Sequence, residues 1–457
     1  MFIRPRWKKV FVDLWGNKSR TALVVLSIAI GVFAVGMVAN AYLILDQAST
    51  VGYEAVNPTS AFIITSPFGD DLVDAVRNMP EVADAEGRRV RSVRLLLHGR
   101  WYNAPLSAQD YENGRVNLLQ STGGKAIPGD HELLIDQTAV ALTDFAIGDV
   151  VTVEMSDGRH YDMTIVGTVR DQNSNPSINT GGINLYTTLD TFEWLGETAD
   201  YNRLLYVAAE NKHDRAYIQA LTGDIKDKIE KSGVMVFFTL VFPEPGVSPT
   251  KFIIQSIRSV LGILAVVSLA LSAFLVFNTM SALILRQVQY IGIMKAIGGL
   301  TRNLVTMYLL MVMLFGLLAF AVAAPLAAVA AQKFAGFIAS PGLLDLPLPT
   351  YQIRPAIILL ELIVSLLVPV LAALPAIWQG TRVTVFAALN STGLSQENLS
   401  NSLLERVIER IRFVTGPWLL SLGNILRNRG RAALTLGTLV LGGAVFIGVL
   451  SVGASSD

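Results

Sequence analysis

Five long apolar runs constrain this chain most, because a water-soluble fold cannot bury so much continuous apolar helix. They span residues 21–45, 252–285, 304–338, 354–378 and 432–453. Each run is long enough for a helix to cross the roughly 30 Å hydrocarbon core of a bilayer. The composition agrees, since 52% of the 457 residues are hydrophobic and 16% are charged. The sequence therefore predicts a membrane protein with an α-helical transmembrane bundle.

Between the first two runs, residues 46–251 change in composition, and charge, proline, glycine and asparagine return. Alternating patterns predict strands there, and 3.6-residue patterns predict helices. The predicted strands are Ala61–Thr65, Val90–Leu97, one from Trp101, a hairpin of Asp149–Met155 with Tyr161–Val169, and Leu204–Ala208; the predicted helices are Asp70–Met79 and Asp214–Lys231. About 200 residues can bury a core of their own. We therefore predict a large α+β domain, of one or two subdomains, inserted between spans 1 and 2.

Basic residues near both ends of the chain predict its orientation. They are Arg4, Arg6, Lys8, Lys9, Lys18 and Arg20 before the first span, and Arg382, Arg406, Arg410, Arg412, Arg427, Arg429 and Arg431 within residues 379–431. The positive-inside rule places both segments in the cytoplasm, so the N-terminus lies inside and the α+β domain is extracytoplasmic. The first span is too long for a signal peptide and is interpreted as a retained anchor of a multi-pass inner or plasma membrane protein.

Both cytoplasmic segments also contain amphipathic patterns. Residues 1–20 carry an apolar face at helical spacing, which predicts an interfacial helix on an anionic leaflet. That face consists of Trp7, Val10, Phe11, Leu14 and Trp15. Residues 379–431 form a linker in which Leu399, Leu403, Val407 and Ile411 make a second stripe. This second helix is predicted to lie on the membrane surface or to dock on a partner.

A weak internal repeat relates the two ends of the chain. A shift of 411 positions aligns Trp418 with Trp7, Asn428 with Asn17, Arg431 with Arg20, Ala433 with Ala22, Leu434 with Leu23, Gly442 with Gly31 and Val449 with Val38. Both copies have the order interfacial helix, basic residues, span, and such repeats are expected in transporters. The fifth span, 432–453, is therefore predicted to begin a second repeat, and the chain to be the N-terminal half of a longer protein.

The polar segment Arg286–Arg302 lies between the second and third spans. Val288, Ile291, Met294 and Ile297 recur every third residue, which predicts an amphipathic helix over 286–303 with these residues along one side. Gly298 and Gly299 supply a helix end, and Thr301 is a candidate cap for the next helix. Two interpretations remain open here, an ordinary loop helix and a contact surface for a partner.

Three features inside the spans are also singled out. The second span, 252–285, exceeds the hydrocarbon thickness, so its outer end is predicted to stand out as a stalk. The third span has a small residue at every fourth position, which predicts close helix packing in a bundle or a dimer, simple alanine richness being the alternative. These residues are Ala319, Ala323, Ala327, Ala331 and Ala335. In the fourth span, Glu361 is either functional or a carboxylate that reaches the near headgroups.

Several kinds of chemistry lack a sequence signal. Gly123-Gly124-Lys125 does not complete a P-loop, and the four histidines, His98, His131, His160 and His213, have no metal-ligand spacing. The absence of cysteine excludes disulfides and thiol chemistry, and equal numbers of acidic and basic residues give no indication of nucleic-acid binding. We predict no enzyme activity, no catalytic or metal site and no cofactor in the chain itself.

With these features in place, the chain resembles the MacB/FtsX-like family of ABC transporter permeases. That family carries R-x-x-E-[IL]-G-[IL]-[LM]-[RK]-A-[IL]-G-[AG] between its second and third spans, and this chain has RQVQYIGIMKAIGG from Arg286 to Gly299, with Tyr290 at the glutamate position. TRVTVFAALN at 381–390 resembles the segment after the fourth span. DLVDAVRNMPEVADAEG and IGDVVTVEMSDGRHYDMTIVGTVRD resemble parts of the MacB-type periplasmic core domain.

The resemblance implies a permease subunit that works with a separate cytoplasmic ABC ATPase dimer, which binds ATP and Mg²⁺. It implies coupling to that ATPase through Arg286, Tyr290, Gly292, Lys295, Gly298 and Gly299, and mechanotransmission to the outer domain. One function is export or extraction of a lipid, lipoprotein, peptide or amphiphilic drug, for which an apolar cleft is expected. The alternative is signalling, through a cell-wall hydrolase or a sensed peptide, for which an exposed patch near Phe237, Phe238 and Phe242 is expected.

Overall fold

The computed structural model describes residues 15–16, 18–350, 354–386 and 440. The helices are α1 Lys18–Glu54, α2 Asp70–Arg77, α3 Ser177–Thr180, α4 Leu189–Trp194, α5 Arg215–Lys231, α6 Lys251–Ala296, α7 Thr301–Ile338 and α8 Pro355–Thr381. The strands are β1 Ala61–Phe68, β2 Val82–Leu97, β3 Arg100–Ala108, β4 Gln120–Gly124, β5 Glu132–Asp136, β6 Val150–Glu154, β7 His160–Arg170, β8 Leu185–Thr187, β9 Tyr201–Ala208 and β10 Val236–Val241, with a 3₁₀ turn at Gln137–Ala141.

The described residues fall into two compact units. A helical unit takes its residues from 1–40, 258–331 and 353–457, and an α+β unit takes them from 41–257 and 332–352. Four helices, α1, α6, α7 and α8, are long and apolar enough to cross a membrane. This confirms the predicted fold class, a transmembrane helical bundle with a large α+β domain between spans 1 and 2.

The helical unit is held by an apolar core shared by its four helices. Val24 and Ile28 of α1, Met280 of α6, Tyr308 of α7 and Ile377 of α8 are all buried in this one cluster. Burial in lipid gives no hydrophobic driving force between helices, so close packing must supply the stability. Small residues permit that packing: a Cβ at Gly316 of α7 would overlap the backbone carbonyl oxygen of Ser365 in α8.

One part of the α+β unit is a β-α-β-β-α-β arrangement made of β1, α2, β2, β9, α5 and β10. Its strands are ordered β10-β1-β9-β2, and each adjacent pair is antiparallel. Helices α2 and α5 cover one face and bury Ile63, Val76, Tyr206 and Ile225 in one core. Asp214 begins α5 by accepting hydrogen bonds from the backbone N–H groups of residues 216 and 217.

The chain between β2 and β9 forms a closed six-stranded barrel. Around the barrel, β2 pairs with β3, β3 with β8, β8 with β5, β5 with β7, β7 with β6, and β6 again with β2. Its interior is filled by a separate set of apolar side chains, including Leu95, Leu106, Ile135, Met163 and Phe192. The α+β unit therefore has two subdomains, which share the 16-residue strand β2.

Most of the predicted elements of the α+β unit lie within two residues of observed ones; the main exception is β2, which begins eight residues before the predicted Val90. The predicted spans at 21–45, 252–285, 304–338 and 354–378 correspond to α1, α6, α7 and α8. No separate helix covers 286–303: α6 continues through Gly292 to Ala296, and the first glycine with a left-handed φ after the second apolar run is Gly298. The interfacial helix at 1–20, most of the linker 379–431, the span at 432–453 and the repeat lie largely outside the described residues.

Candidate functional site: the basic end of the helical unit

Basic side chains collect where α1 begins, α6 ends, α7 begins and α8 ends. They are Lys18, Arg20, Arg286, Lys295, Arg302 and Arg382, and no acidic residue occurs among the described residues of these helix ends. Two hydrogen bonds connect these helices, one along α6 at Thr279 and one near its end at Lys295. The Arg20 guanidinium donates to the Thr279 carbonyl oxygen at 2.6 Å, and the Lys295 ammonium donates to the Val383 carbonyl oxygen at 2.9 Å. We call this region the basic end.

A four-residue turn at the basic end connects α6 to α7. Gly298 has a φ of +95°, a left-handed conformation that glycine adopts without strain. Its N–H donates to the Lys295 carbonyl oxygen at 3.0 Å, and the Gly299 N–H donates to the Met294 carbonyl oxygen at 2.8 Å. This pair of bonds is the Schellman motif. The predicted role of Gly298-Gly299 as a helix end is confirmed, and α7 begins at Thr301 itself.

The turn and the last turns of α6 expose four apolar side chains. Ile297 is 82% exposed, Leu300 67%, Tyr290 62% and Ile293 49%. On the opposite side, Ile291 is fully buried in the core of the helical unit. We call the four exposed residues the apolar tip. An apolar group that is flanked along the chain by Arg286, Lys295 and Arg302 suits contact with a protein surface or with lipid headgroups.

The apolar stripe predicted from three-residue spacing is not a single face. Ile291 is buried and Ile297 is exposed, although both were predicted to line the same side. A step of three residues turns an α-helix by about 300°, so each step falls short of a full turn by about 60°. Over the nine residues from Val288 to Ile297 the shortfall reaches about half a turn. This geometry sends Ile297 away from the core that Ile291 enters.

The structure also locates the residues that the family motif implies. Arg286 and Tyr290 are exposed, whereas Gly292 is buried in the helical unit and so lies away from the exposed surface. Lys295 is half-buried, and its bond to Val383 holds the segment after α8. Arg286, Tyr290 and the turn therefore offer a surface, while Gly292 and Lys295 support it from within the chain.

Two contacts of the basic end were not evident from the sequence. The Tyr308 hydroxyl donates to the Gln287 side-chain oxygen at 2.7 Å, and thereby connects the first turns of α7 to the last turns of α6. The Arg382 guanidinium lies 4.5 Å from the centre of the Trp378 ring, in a cation–π contact on the final turn of α8. Polar residues at span ends were visible in the sequence, but their partners were not.

Glu361 of α8 is buried within the helical unit, with 2% of its surface exposed. It packs against α1 at Gly36, where a Cβ would overlap the Glu361 carboxyl group. Its Oε1 has no hydrogen-bond partner among the described residues. One turn further along α1, Asn40 donates to the Gly36 carbonyl oxygen at 3.0 Å. The glycine thus makes the space that admits a carboxyl group between two spans.

We expect Gly36→Leu to destabilise the helical unit by about 2 kcal/mol, because a larger side chain must displace the Glu361 carboxyl group in a packed interface. The measurement is the thermal midpoint of the full chain in detergent. Gly262→Leu is the matched control, since no atom lies within 4 Å of a Cβ at that position. Adding Glu361→Ala should recover the midpoint of Gly36→Leu; a double variant no more stable than Gly36→Leu would contradict the contact.

The alanine stripe of α7 is buried inside the chain. Ala319, Ala323, Ala327, Ala331 and Ala335 are each 0–1% exposed. Ala319 and Ala323 belong to the core of the helical unit, and Ala335 belongs to an apolar cluster of the α+β unit. The stripe therefore packs within one chain rather than presenting a dimer face.

The α+β unit exposes an aromatic patch where the sequence placed one. Phe237 is 64% exposed, Phe238 51% and Met235 64%. Phe242 is half-buried, and its ring lies edge-on to Phe62 with centroids 6.4 Å apart. Among the described residues, no group of histidine and carboxylate side chains has the geometry of a metal site.

Part of the chain is similar to a known protein family. Residues 262–385 match the family described as FtsX-like permease C-terminal, a range that contains Glu361, the turn between α6 and α7, and the basic residues Arg286, Lys295, Arg302 and Arg382. A comparison with curated proteins finds no match.

Two solved structures are similar to part of the chain. The extracellular domain of the noncanonic ABC-type transporter YknZ from Gram-positive bacteria is 12% identical, with a TM-score of 0.28, covering 40% of this chain and 100% of that chain. The periplasmic region of MacB from Actinobacillus actinomycetemcomitans is 13% identical, with a TM-score of 0.28, covering 45% and 95%. The family match covers the turn between α6 and α7 and the helices on either side of it. The chain is therefore a membrane protein in which residues 262–385 match an FtsX-like permease domain.

Proposed function

We propose that this chain is the permease subunit of an ABC transporter, and that a separate cytoplasmic ATPase binds the apolar tip and drives it. The observation that carries the proposal is the exposure of Tyr290, Ile293, Ile297 and Leu300 beside the basic side chains. The positive-inside rule assigns the basic end to the cytoplasm, and hence the α+β unit to the outside. ATP and Mg²⁺ belong to that partner, and this chain contributes no catalytic group.

Helix α6 is suited to carry motion away from the apolar tip. It runs without proline from Lys251 to Ala296, and 46 residues correspond to about 70 Å of helix. A hydrocarbon core needs less than half of that length. A load placed on the turn at 297–300 is therefore applied to one continuous element rather than to a flexible linker.

The work done outside is, in this proposal, export or extraction of a lipid, lipoprotein, peptide or amphiphilic drug. The family resemblance and the FtsX-like domain support this class of cargo. Among the described residues of the helical unit, Glu361 is the one buried carboxyl group and lies among apolar helices, which is not the arrangement of a hydrated pore. Cargo is accordingly handled at the α+β unit and moved by its displacement.

We expect Ile297→Asp to abolish coupling, because it places an unpaired carboxylate at the centre of an apolar contact. Full-length protein is co-purified with its ATPase, and the stimulation of ATP hydrolysis is measured in nanodiscs. Both the recovered ATPase and the stimulation should fall by about tenfold or more. The control is Val260→Ala, an exposed apolar site on α6 that lies about ten turns away. An unaffected Ile297→Asp variant, or a wild-type chain that recovers no ATPase, would refute the assignment.

A second function is favoured by one observation, the aromatic patch at Met235, Phe237 and Phe238. In this version the permease moves no cargo and instead controls an extracytoplasmic protein bound at that patch. Both versions share the same ATPase contact, so Ile297→Asp would disable either. They differ at the patch: Phe238→Ser should leave cargo export intact in the first version and abolish the response in the second.

A further inference from the structure

The strand β10 lies at the edge of the α+β sheet and has one neighbour. Among the described residues it pairs with β1 alone. One row of its backbone N–H and C=O groups therefore points away from the sheet, where another strand can pair with it. The sequence of the strand, VFFTLV, contains neither a charged residue nor a proline. These are two of the usual devices by which proteins protect an edge strand from unwanted pairing.

A β-bulge at one end of β10 directs two aromatic rings outward. Phe238 pairs with Ile64 and Val236 with Thr65, which leaves Phe237 as an extra residue between the two pairs. Beyond the bulge, Phe238 to Val241 remain in regular antiparallel register with β1. The edge thus offers four regular residues for pairing, with exposed Met235 and Phe237 next to them.

A groove runs beside this edge, between β10 and helix α5. Its cavity volume is about 340 Å³, and it is lined by Arg215, Gln219, Thr222, Gly223, Lys226, Thr239, Leu240 and Val241. The charged residues of the lining are both cationic, and no carboxylate lines it. Lys226 lies 3.7 Å from the Glu230 carboxylate, in a pair that is about half exposed. Arg215 makes no ion pair with any described residue, so its charge is available to an occupant.

From the edge, the bulge and the groove together, we propose that β10 is a docking strand. Its occupant is an extended segment of a partner protein that adds a strand to the sheet, places apolar side chains against Phe237 and Phe238, and places a carboxylate beside Arg215. Backbone pairing supplies affinity in strand addition, and the alternate side chains supply specificity. The location of that partner outside the cell rests on the orientation proposed above, whereas the docking itself does not.

The test uses full-length protein in nanodiscs and three short labelled peptides of equal length. The first alternates valine and threonine and contains glutamates, the second has lysine in place of glutamate, and the third is the glutamate peptide with central prolines. Proline lacks the N–H that a ladder needs, so it removes strand addition without changing the charge. Anisotropy should show that the glutamate peptide binds about tenfold more tightly than either of the others.

Three variants assign the contact. Arg215→Glu should reverse the preference, so that the lysine peptide binds more tightly than the glutamate peptide. Phe238→Ser should weaken binding of the glutamate peptide by about tenfold. Val140→Ser, at a similarly exposed apolar residue of the 3₁₀ turn, should have no effect. Equal binding of the proline peptide, or an Arg215→Glu variant with unchanged preference, would overturn the proposal. Self-association that Phe238→Ser abolishes, without peptide binding, would overturn it in favour of a second copy.

Discussion

Arg170→Met is expected to lower the free energy of unfolding of the α+β unit by about 3 kcal/mol, because it leaves a buried carboxylate without its cation. The Arg170 guanidinium donates to Asp345 Oδ1 at 2.7 Å, and the Asp345 side chain is 2% exposed. The second oxygen of that carboxylate has no hydrogen-bond partner among the described residues. Among the described residues, the Arg170 side chain alone therefore offsets the cost of removing the Asp345 carboxylate from water.

This ion pair also fixes the loop between α7 and α8 within the α+β unit. The Gln172 side chain donates to the Asp345 carbonyl oxygen at 3.4 Å, and Leu344 and Leu346 on either side are buried in one apolar cluster with Leu45 and Ile254. A Cβ at Gly52 would lie 2.8 Å from the Pro347 ring. Loss of the ion pair should therefore release residues 340–347 as a group.

The effect is measured on the full chain as the urea midpoint of the α+β unit, followed by the fluorescence of Trp101 and Trp194. Lys125→Met is the matched control, since its ion pair with Glu132 is about half exposed and should cost less than about 1 kcal/mol. The double variant Arg170→Met with Asp345→Leu removes both charges and should recover most of the loss. A double variant as unstable as Arg170→Met would show that packing, and not the unpaired charge, is responsible.

Local signals in the sequence were sufficient for most elements of the α+β unit. The β6–β7 hairpin was predicted from alternation on both sides of Ser156-Asp157-Gly158, and Gly158 has the left-handed φ of +82° that such a turn requires. Helix α5 was predicted over Asp214–Lys231, and the structure shows that the Asp214 carboxylate caps its first turn. Each of these features depends on residues within a few positions of one another.

The tertiary arrangement depends on contacts that have no local signal. Arg170 and Asp345 are 175 positions apart, and each alone resembles an ordinary polar residue beside a span or strand. Closure of the barrel requires β2 to pair with β6 as well as with β3, which alternation along β2 does not specify. The same reason explains Glu361: its position in a span was evident, but the glycine on α1 that accommodates it was not. At the basic end, helix geometry rather than spacing alone decided which side chains are exposed.

Asp136 provides a second large effect, a stability that falls as pH rises. Its side chain is buried in the same small cavity as Arg170, Asp171 and Asp345. Burial raises the pKa of Asp136 from an ordinary 3.8 to about 7; hydrogen bonds from Thr138 oppose the shift, and the charges of Asp171 and Asp345 add to it. Asp171 itself accepts a hydrogen bond from the Tyr186 hydroxyl at 2.8 Å, and burial together with the Asp171 charge raises the pKa of Tyr186 well above its usual value.

The sign of the pH dependence follows from proton counting. Between about pH 4 and pH 7 the folded state keeps the Asp136 proton and the unfolded state has lost it, so the unfolded state binds fewer protons. Stability then decreases as pH rises, by about 1.4 kcal/mol per unit, up to a total of about 4 kcal/mol. Glu132 and Glu197 act in the opposite direction. A hydrogen bond from Lys125 lowers the pKa of Glu132; burial works to raise the pKa of Glu197, but the hydrogen bonds and charges of Arg91 and Arg89 outweigh it and lower that pKa. Their contribution is lost only as pH falls below about 4.5, which is below the range from pH 5 to pH 8 in which the variants are compared.

We therefore expect Asp136→Asn to match the wild-type chain near pH 5 and to be more stable by several kcal/mol near pH 8. The Thr138 N–H donates to Asp136 Oδ1 at 2.8 Å. Asparagine keeps an oxygen that can accept this hydrogen bond, but its side chain cannot ionise. The comparison uses urea midpoints of the full chain at each pH, so the titration of histidines common to both proteins cancels. Asp157→Asn is the control, because that carboxylate is exposed and its pKa is lowered by hydrogen bonds from Arg159. The urea midpoints of Asp136→Asn and of the wild-type chain could instead differ by the same amount at every pH from 5 to 8. That result would show that Asp136 is ionised throughout and paired with Arg170, rather than protonated.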